Sequence, residues 1–491
     1  MKQFMKNPRI FLLLVSLAFC NILFSQQSIV FEKTYRTETS DTVIMALTGA
    51  QTSDGGYLLG GYAAYGMYLA QMMFFKIDSV GNYQWKKMYG SLPCSSNMIY
   101  DMEPVGDGTF ICCGEGTFST EGEPGDLKPN NTMIMRVDEN ANILWHKEFD
   151  TGVMEHLREL AVSDTGYICV GSTATDDKYT DNLLWITGDL DGISSNTNIL
   201  NYGYSSEVFW GVTKMSDGNF VIGGHNWRNS FIFKVNPVGD TLQSIVLGSG
   251  YPEQLVVFDI GFTNRILLCG SYTQDHIIDD YYTSFYSTCD NDFENIETIF
   301  YEPENEVQYS YSQKMLIQND NSFLIIGSMR TSDREEDFWL KKHDSDGLLL
   351  WKRSIGGNAY ENLRDIIQTN DGGYLVIAES ASFNEYTSMY IIKIDSLGQG
   401  NYTNPIEMIP KINNELVIFP NPANDKVCIE ILDNDKNYTI EIYDINGKQT
   451  FNQTSFVNQN FIDVTSWKNG MYLIRVNNKN ATYQSKLIIN H

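Results

Sequence analysis

One eight-residue phrase recurs along the chain, and no other feature of the sequence restricts the fold so strongly. It reads DGGYLLGG from Asp54 and returns as DGTFICCG from Asp107, DTGYICVG from Asp164, DGNFVIGG from Asp217, TNRILLCG from Thr263, DNSFLIIG from Asp320 and DGGYLVIA from Asp371. Successive starts lie 46 to 57 residues apart. At that period each copy is one supersecondary unit, able to bury its apolar face only against its neighbours. A short apolar run precedes each phrase, as at 43–47, 160–162 and 365–368, and the Asp-Gly between the two runs is a hairpin signal. A third run ends in a second turn (FFKIDSVG, FIFKVNPVG, YIIKIDSLG), and a fourth follows (WKKMYG, WHKEF, WKRSIG). Four strands per unit is the pattern of a propeller blade.

The ends of the array predict how the ring closes. The seventh unit runs out after Gly398 without a fourth strand, while FEKTYR at 31–36 matches WKKMYG in register. The N-terminal segment is therefore predicted to complete the last blade, burying edges that would otherwise pair with other chains. The predicted fold class is all-β: a seven-bladed β-propeller of four-stranded blades, followed by a small C-terminal β-sandwich. The fifth unit departs furthest from the repeat, and the count of seven depends on it.

Residues 1–25 carry Lys2, Lys6 and Arg9, the apolar run 10–19, and a short segment ending at Ser25, the layout of a secretory signal peptide. The run is too short to span a membrane, and no other segment approaches the ~20 apolar residues that spanning needs, so no transmembrane anchor is expected. Bulky Phe19 before Cys20 argues against a lipoprotein cysteine. Removing residues 1–25 takes away three basic side chains and no acidic one, moving the net charge from −27 to −30. A surface so acidic repels phosphate backbones, which excludes nucleic acid as a partner. Seven cysteines remain, an odd number at irregular spacing without a CxxC pair, so neither a disulfide framework nor a zinc site is expected.

Beyond residue 402 the repeat is lost. Residues 403–414, with Pro405 and Pro410, read as a linker, and 415–491 as short strands separated by turns. Pro420-Asn421-Pro422, the strand ending in Asn446-Gly447-Lys448, the Gly470-Met471-Tyr472-Leu473 strand and the terminal Lys486-Leu487-Ile488 occur in that order. Together they closely resemble the type A sorting domain of the type IX secretion system of Bacteroidetes. The resemblance implies export by that machinery, recognised through 415–491, and a secreted or outer-surface location. The expected organisation is signal peptide 1–25, propeller 26–402, linker 403–414 and sorting domain 415–491.

In a four-stranded blade the turns joining strands one to two and three to four open on one face, and the two-to-three and blade-to-blade loops on the other. The first set is tight here and the second long, so the second face is where recognition is expected. Its candidate ligand-binding residues are His225, Trp227 and Arg228 in one short loop, with Tyr65, Tyr179, Tyr281, Tyr282 and Tyr386 in others. They predict an aromatic-lined face for an extracellular glycan or protein, weighed against rings that merely cap blade cores. Asp176, Asp177 and Asp181, with Asp279 and Asp280, offer hard oxygen ligands for calcium, weighed against solvated charge. Asp78, Asp138 and Asp395 should cap their own turns, and Cys112, Cys113, Cys169 and Cys269 should be buried, inert thiols. Hydrolase, metalloprotease and nucleotide-binding motifs are absent. The leading reading is a non-enzymatic binding or adhesion propeller. A polysaccharide hydrolase or lyase with carboxylates across the channel is the alternative, and a structural surface component the third.

Overall fold

The computed structural model describes residues 30–37, 42–65, 69–89, 97–116, 131–150, 154–174, 181–201, 207–226, 229–247, 254–273, 282–301, 307–331, 336–356, 359–383, 387–400, 406–409, 416–419, 421–431, 437–445, 447–455, 459–479 and 482–490. All regular structure within them is β. Six antiparallel four-stranded sheets follow one another, at 42–89, 98–149, 154–200, 208–247, 254–300 and 307–355. The seventh takes three strands from 361–394 and its fourth from Phe31–Thr37, which pairs antiparallel with Ser388–Ile394. The seven blades and the closing N-terminal strand are as the repeat predicts. Within the segment read as a linker, Ile406–Ile409 adds a fifth strand to this last blade, parallel to Phe31–Thr37. An unpaired outer edge offers free N–H and C=O groups to any nearby extended segment, and the two flanking prolines leave just such a stretch.

The turns explain why the phrase repeats. In the last turn of a blade the aspartate accepts two main-chain N–H groups. Asp78 Oδ1 takes those of Val80 (3.0 Å) and Asn82 (2.7 Å), Asp138 those of Asn140 and Asn142, and Asp395 those of Leu397 and Gln399. The lysine just before that turn reaches back to the first. Lys76 Nζ lies 2.9 Å from Asp54 Oδ1, and buried Lys393 lies 3.0 Å from both oxygens of Asp371. One phrase of the repeat thus stitches the two hairpins of a blade together, and hydrogen bonds from the Thr52 hydroxyl, Lys76 and Gly56 N hold Asp54 down at about 2 against the cost of its burial.

Neighbouring blades are pinned at their outer rim by a side chain that donates to the turn of the next blade. Tyr35 reaches Gly81 O (2.5 Å), Tyr89 Ala141 O (2.5 Å), Trp145 Leu190 O (3.0 Å) and Trp185 Gly239 O (2.9 Å). The series goes on through Gln243 to Asp292 O, Tyr286 to Gly347 O and Arg353 to Gly398 O. The first of these joins blade seven to blade one, whose apolar side chains form a common core with Tyr35, Phe75, Ile377 and Ile391. Gly81 has φ +82° and a Cβ there would stand 2.7 Å from the Phe31 ring, so both the turn and the packing of Phe31 against it require glycine.

The C-terminal unit is two sheets, of three and four strands, around Val427, Ile429, Ile440, Ile442, Ile474 and Leu487. Asn421, joined to Pro422 by a cis bond, donates to Lys486 O (2.7 Å) and accepts from Ile488 N (2.8 Å), tying the motif to the last strand. Gly447 sits in a turn at φ +77°, Gly470 opens its strand at φ +149°, Tyr472 is buried with its hydroxyl on Lys468 O, and Lys486 is exposed. Pro420 lies outside the described residues.

Candidate functional site

The innermost strand of every blade carries a β-bulge at the same place. The skipped residues are Leu47, Tyr100, Arg158, Trp210, Phe258, Gln313 and Arg364. A bulge breaks the two-residue alternation and re-aims the next side chain, here placing Thr48, Asp101, Glu159, Gly211, Asp259, Lys314 and Asp365 in one ring. Asp101 Oδ1 accepts Met102 N and its Oδ2 accepts Leu160 N of the next blade (2.7 Å). Asp259 does the same with Ile260 N and Met315 N (2.6 Å). Asp365 accepts Ile366 N and lies 3.0 Å from Thr48 Oγ1, itself 3.2 Å from Asp101 Oδ1. A Cβ on Gly211 would stand 2.8 Å from Asp259 Cα, so blade four contributes only room for its neighbour.

Lys314 is the cation of this ring. Its Nζ bonds Glu159 across the channel and lies 3.9 Å from Asp365 Oδ1. Burial would lower its pKa, but Glu159, Asp365, Asp259 and Asp101 together hold it well above the usual lysine value. Burial pushes Asp101 and Asp259 up to about 6 and Glu159 well above the carboxylate range. Glu103, two residues further along its strand, has an exposed side chain, and the protein enclosing it with the charges of Asp101 and Asp365 pushes it up to about 8.

On the loop-face side of the ring the channel mouth is aromatic and charged. The Arg158 guanidinium lies 4.9 Å from the Tyr100 ring and 5.2 Å from that of Trp210, which stacks on His225 at 6.3 Å and 7°. His156 Nδ1 is 2.5 Å from Glu115 Oε2, and Arg364 Nη2 is 2.5 Å from Glu379 Oε1. Tyr309 and Tyr311 both donate to Glu336 and stack on each other at 5.9 Å. Tyr62 feels the charges of Glu379 and Arg364, and Tyr360 those of Glu379 and Glu336, which carries the arc across blades seven and one.

Of the loop residues singled out in the sequence, Trp227, Arg228, Tyr179, Tyr281, Tyr386, Asp176, Asp177, Asp279 and Asp280 lie outside the described residues, as does the side chain of Tyr65. Tyr65 ends the strand Tyr57–Tyr65 rather than sitting in a loop, because hairpin pairing with Leu69–Ile77 continues to the last residue of both strands. His225 likewise closes a strand, and burial pushes its imidazole down to about 4, leaving it neutral. Tyr282 is half-buried and accepts Ser310 N on its main-chain oxygen. Burial raises the Asp181 carboxyl against the pull of His156 and Arg158. Among the described residues no three His, Cys, Asp or Glu are grouped to hold a metal ion. Cys112, Cys113, Cys169 and Cys269 are buried, and burial raises Cys112, Cys113 and Cys269 well above the usual thiol value.

The ring was missed in the sequence, although a signal for it exists. Thr48, Asp101, Gly211, Lys314 and Asp365 each stand six residues before the first residue of their repeat phrase. A charged residue at that spacing inside an otherwise apolar run, as in three of these five, is what a core-facing strand should lack.

Residues 417–490 match the family described as secretion system C-terminal sorting domain. No curated protein matches the chain. Among solved structures it is similar to PorZ, a surface component of the type IX secretion system of Porphyromonas gingivalis (12% identity, 94% of this chain and 70% of that one, TM-score 0.31). It is also similar to a fungal alcohol oxidase of the AA5 family (10%, 94% and 100%, TM-score 0.43) and to prolyl oligopeptidase B from Galerina marginata (9%, 88% and 55%, TM-score 0.41). All three likenesses are distant and none bears on activity. The tail is another matter: residues 417–490 are a secretion-system C-terminal sorting domain, and the β-propeller that carries it is a secreted or cell-surface protein.

Proposed function

We propose that the mature chain, beginning near residue 26, is a non-enzymatic binding propeller whose ligand, an extracellular glycan, docks at the loop-face mouth of the channel. The observation that carries this reading is the arc of half-buried rings at that mouth, Tyr62, Tyr100, Trp210, Tyr309, Tyr311 and Tyr360. Such rings offer apolar faces of fixed orientation beside hydroxyl and N–H groups, the mixture that a sugar's C–H faces and hydroxyls require. Loop residues Trp227, Arg228, Tyr179, Tyr281 and Tyr386 are proposed as further ligand contacts. Support for binding over hydrolysis comes from the ring below. Asp101 and Asp259 spend both oxygens on main-chain N–H groups, and Lys314 is held by Glu159, so these groups serve as clamps between blades.

The test is a glycan array probed with the full mature chain, with and without calcium, reading retention and reducing-sugar release together. Saturable retention without release, weakened about tenfold by Trp210→Ala as expected for a central aromatic contact, supports the proposal. Failure to retain any sugar rejects it. Sugar release would favour the hydrolase instead. One observation speaks for that second reading: Glu103, held up to about 8 beside Asp101 at about 6, is a proton donor at neutral pH. Glu103→Gln would then abolish release.

A further inference from the structure

We infer that the ligand enters the mouth by an anionic end, a single sugar carboxylate received by Arg158; the inference rests on the mouth being the binding site. Tyr100, Arg158 and Trp210 are the skipped residues of three successive blades, so the two rings stand on either side of the guanidinium. Among the described residues Arg158 makes no ion pair, and its buried Nε has no hydrogen-bond partner. The other polar side chains of the arc do better. His156 is bonded to Glu115, Arg364 to Glu379, and Glu336 to two tyrosines. Asp181 balances the charge of Arg158 without bonding it.

A buried donor left without a partner costs free energy that native proteins rarely leave unrecovered. Flanking rings hold a guanidinium in place, and its planar donor fork matches the two oxygens of a carboxylate. The charge of the whole chain narrows the choice. A mature surface of −30 repels a polyanion laid across it, and of the cations near the channel Arg364 and Lys314 are already bonded to Glu379 and Glu159, which leaves Arg158 for one carboxylate. One carboxylate at a chain end is therefore admitted where an extended acidic polymer is not, which describes an oligosaccharide with a uronic acid at its non-reducing end.

The test titrates the full mature chain with oligosaccharides ending in glucuronate or galacturonate, and with their carboxyl-reduced counterparts. The uronate-ended probes should bind about ten- to hundredfold more tightly, the worth of a charge-assisted pair. Arg158→Gln should erase that preference, with an unchanged circular dichroism spectrum showing that the variant is folded. Arg158→Lys, with the charge but not the planar fork, should recover only part of it. Equal binding of acidic and reduced probes, or a preference that survives Arg158→Gln, overturns the inference and leaves the mouth reading standing. If neither class of probe binds the unmutated chain, the mouth reading itself fails. Binding of peptide C-termini in place of sugars, lost on amidation, overturns the assignment to a glycan.

Discussion

Seven blades are joined twice, once at the outer rim and once around the channel, and the two joints are built from opposite chemistry. The rim uses mostly aromatic side chains, each giving one hydrogen bond to a turn carbonyl of the next blade. The channel uses carboxylates that accept from the next blade's main chain, with Lys314 bonded to Glu159 155 residues away. Rim contacts join adjacent blades pairwise and, Arg353 apart, come from neutral side chains, so each should fail alone. The channel ring is charged, shared and enclosed, so removing one member leaves the others with buried charge. Repetition thus makes a modular outside and a cooperative inside.

The two joints should differ most at Lys314. Lys314→Met should cost about 3–5 kcal/mol of stability at neutral pH, because it strands buried carboxylates, as measured by chemical denaturation. Adding Glu159→Leu should recover part of the loss, and a double variant no better than the single would show that the two do not act as a pair. Next comes the rim. Tyr35→Phe removes one hydrogen bond from a buried carbonyl at the closure and should cost about 1–2 kcal/mol, with no dependence on pH.

A third prediction separates the two joints by pH. Glu103, at about 8 in the fold against 4.5, favours its protonated form there, so its contribution is full below about 4.5 and is lost as pH rises to about 8. Asp101 and Asp259, at about 6 against 3.8, act in the same sense over a lower window. His225, at about 4 against 6.5, opposes them: its contribution is present above 6.5 and lost as pH falls to about 4. Glu103→Gln should therefore flatten the decline in melting temperature between pH 6 and 8. An unchanged slope would place that titration elsewhere. The smallest effect is expected at a single turn, where Asp78→Ala should cost about 0.5–1.5 kcal/mol and leave the pH profile as it was.

Much of the architecture could be read from residues close together in the chain. Asp78, Asp138 and Asp395 cap turns within four residues of themselves, and the match of 31–36 to the missing outer strand located the closure. The site was less legible. Long loops usually carry recognition, yet Tyr65 and His225 end strands, and the described mouth is lined largely by residues at and beside the inner bulges. A bulge inverts the alternation at one position, so counting in twos from the Asp-Gly turn puts Asp101 and Arg158 on the wrong faces.

Legible in the sequence alone were the repeat, its period, the turn chemistry and the export tail, all of which depend on short motifs recurring or following one another in order along the chain. Only the tertiary structure decided which charges meet. Thr48 and Asp365, 317 residues apart, share a contact because the ring closes. Lys314 finds Glu159 because a seven-fold ring sets blades six and three nearly opposite each other. Pairings across a channel are fixed by closure geometry, and closure is a property of all seven blades together, not of any one of them.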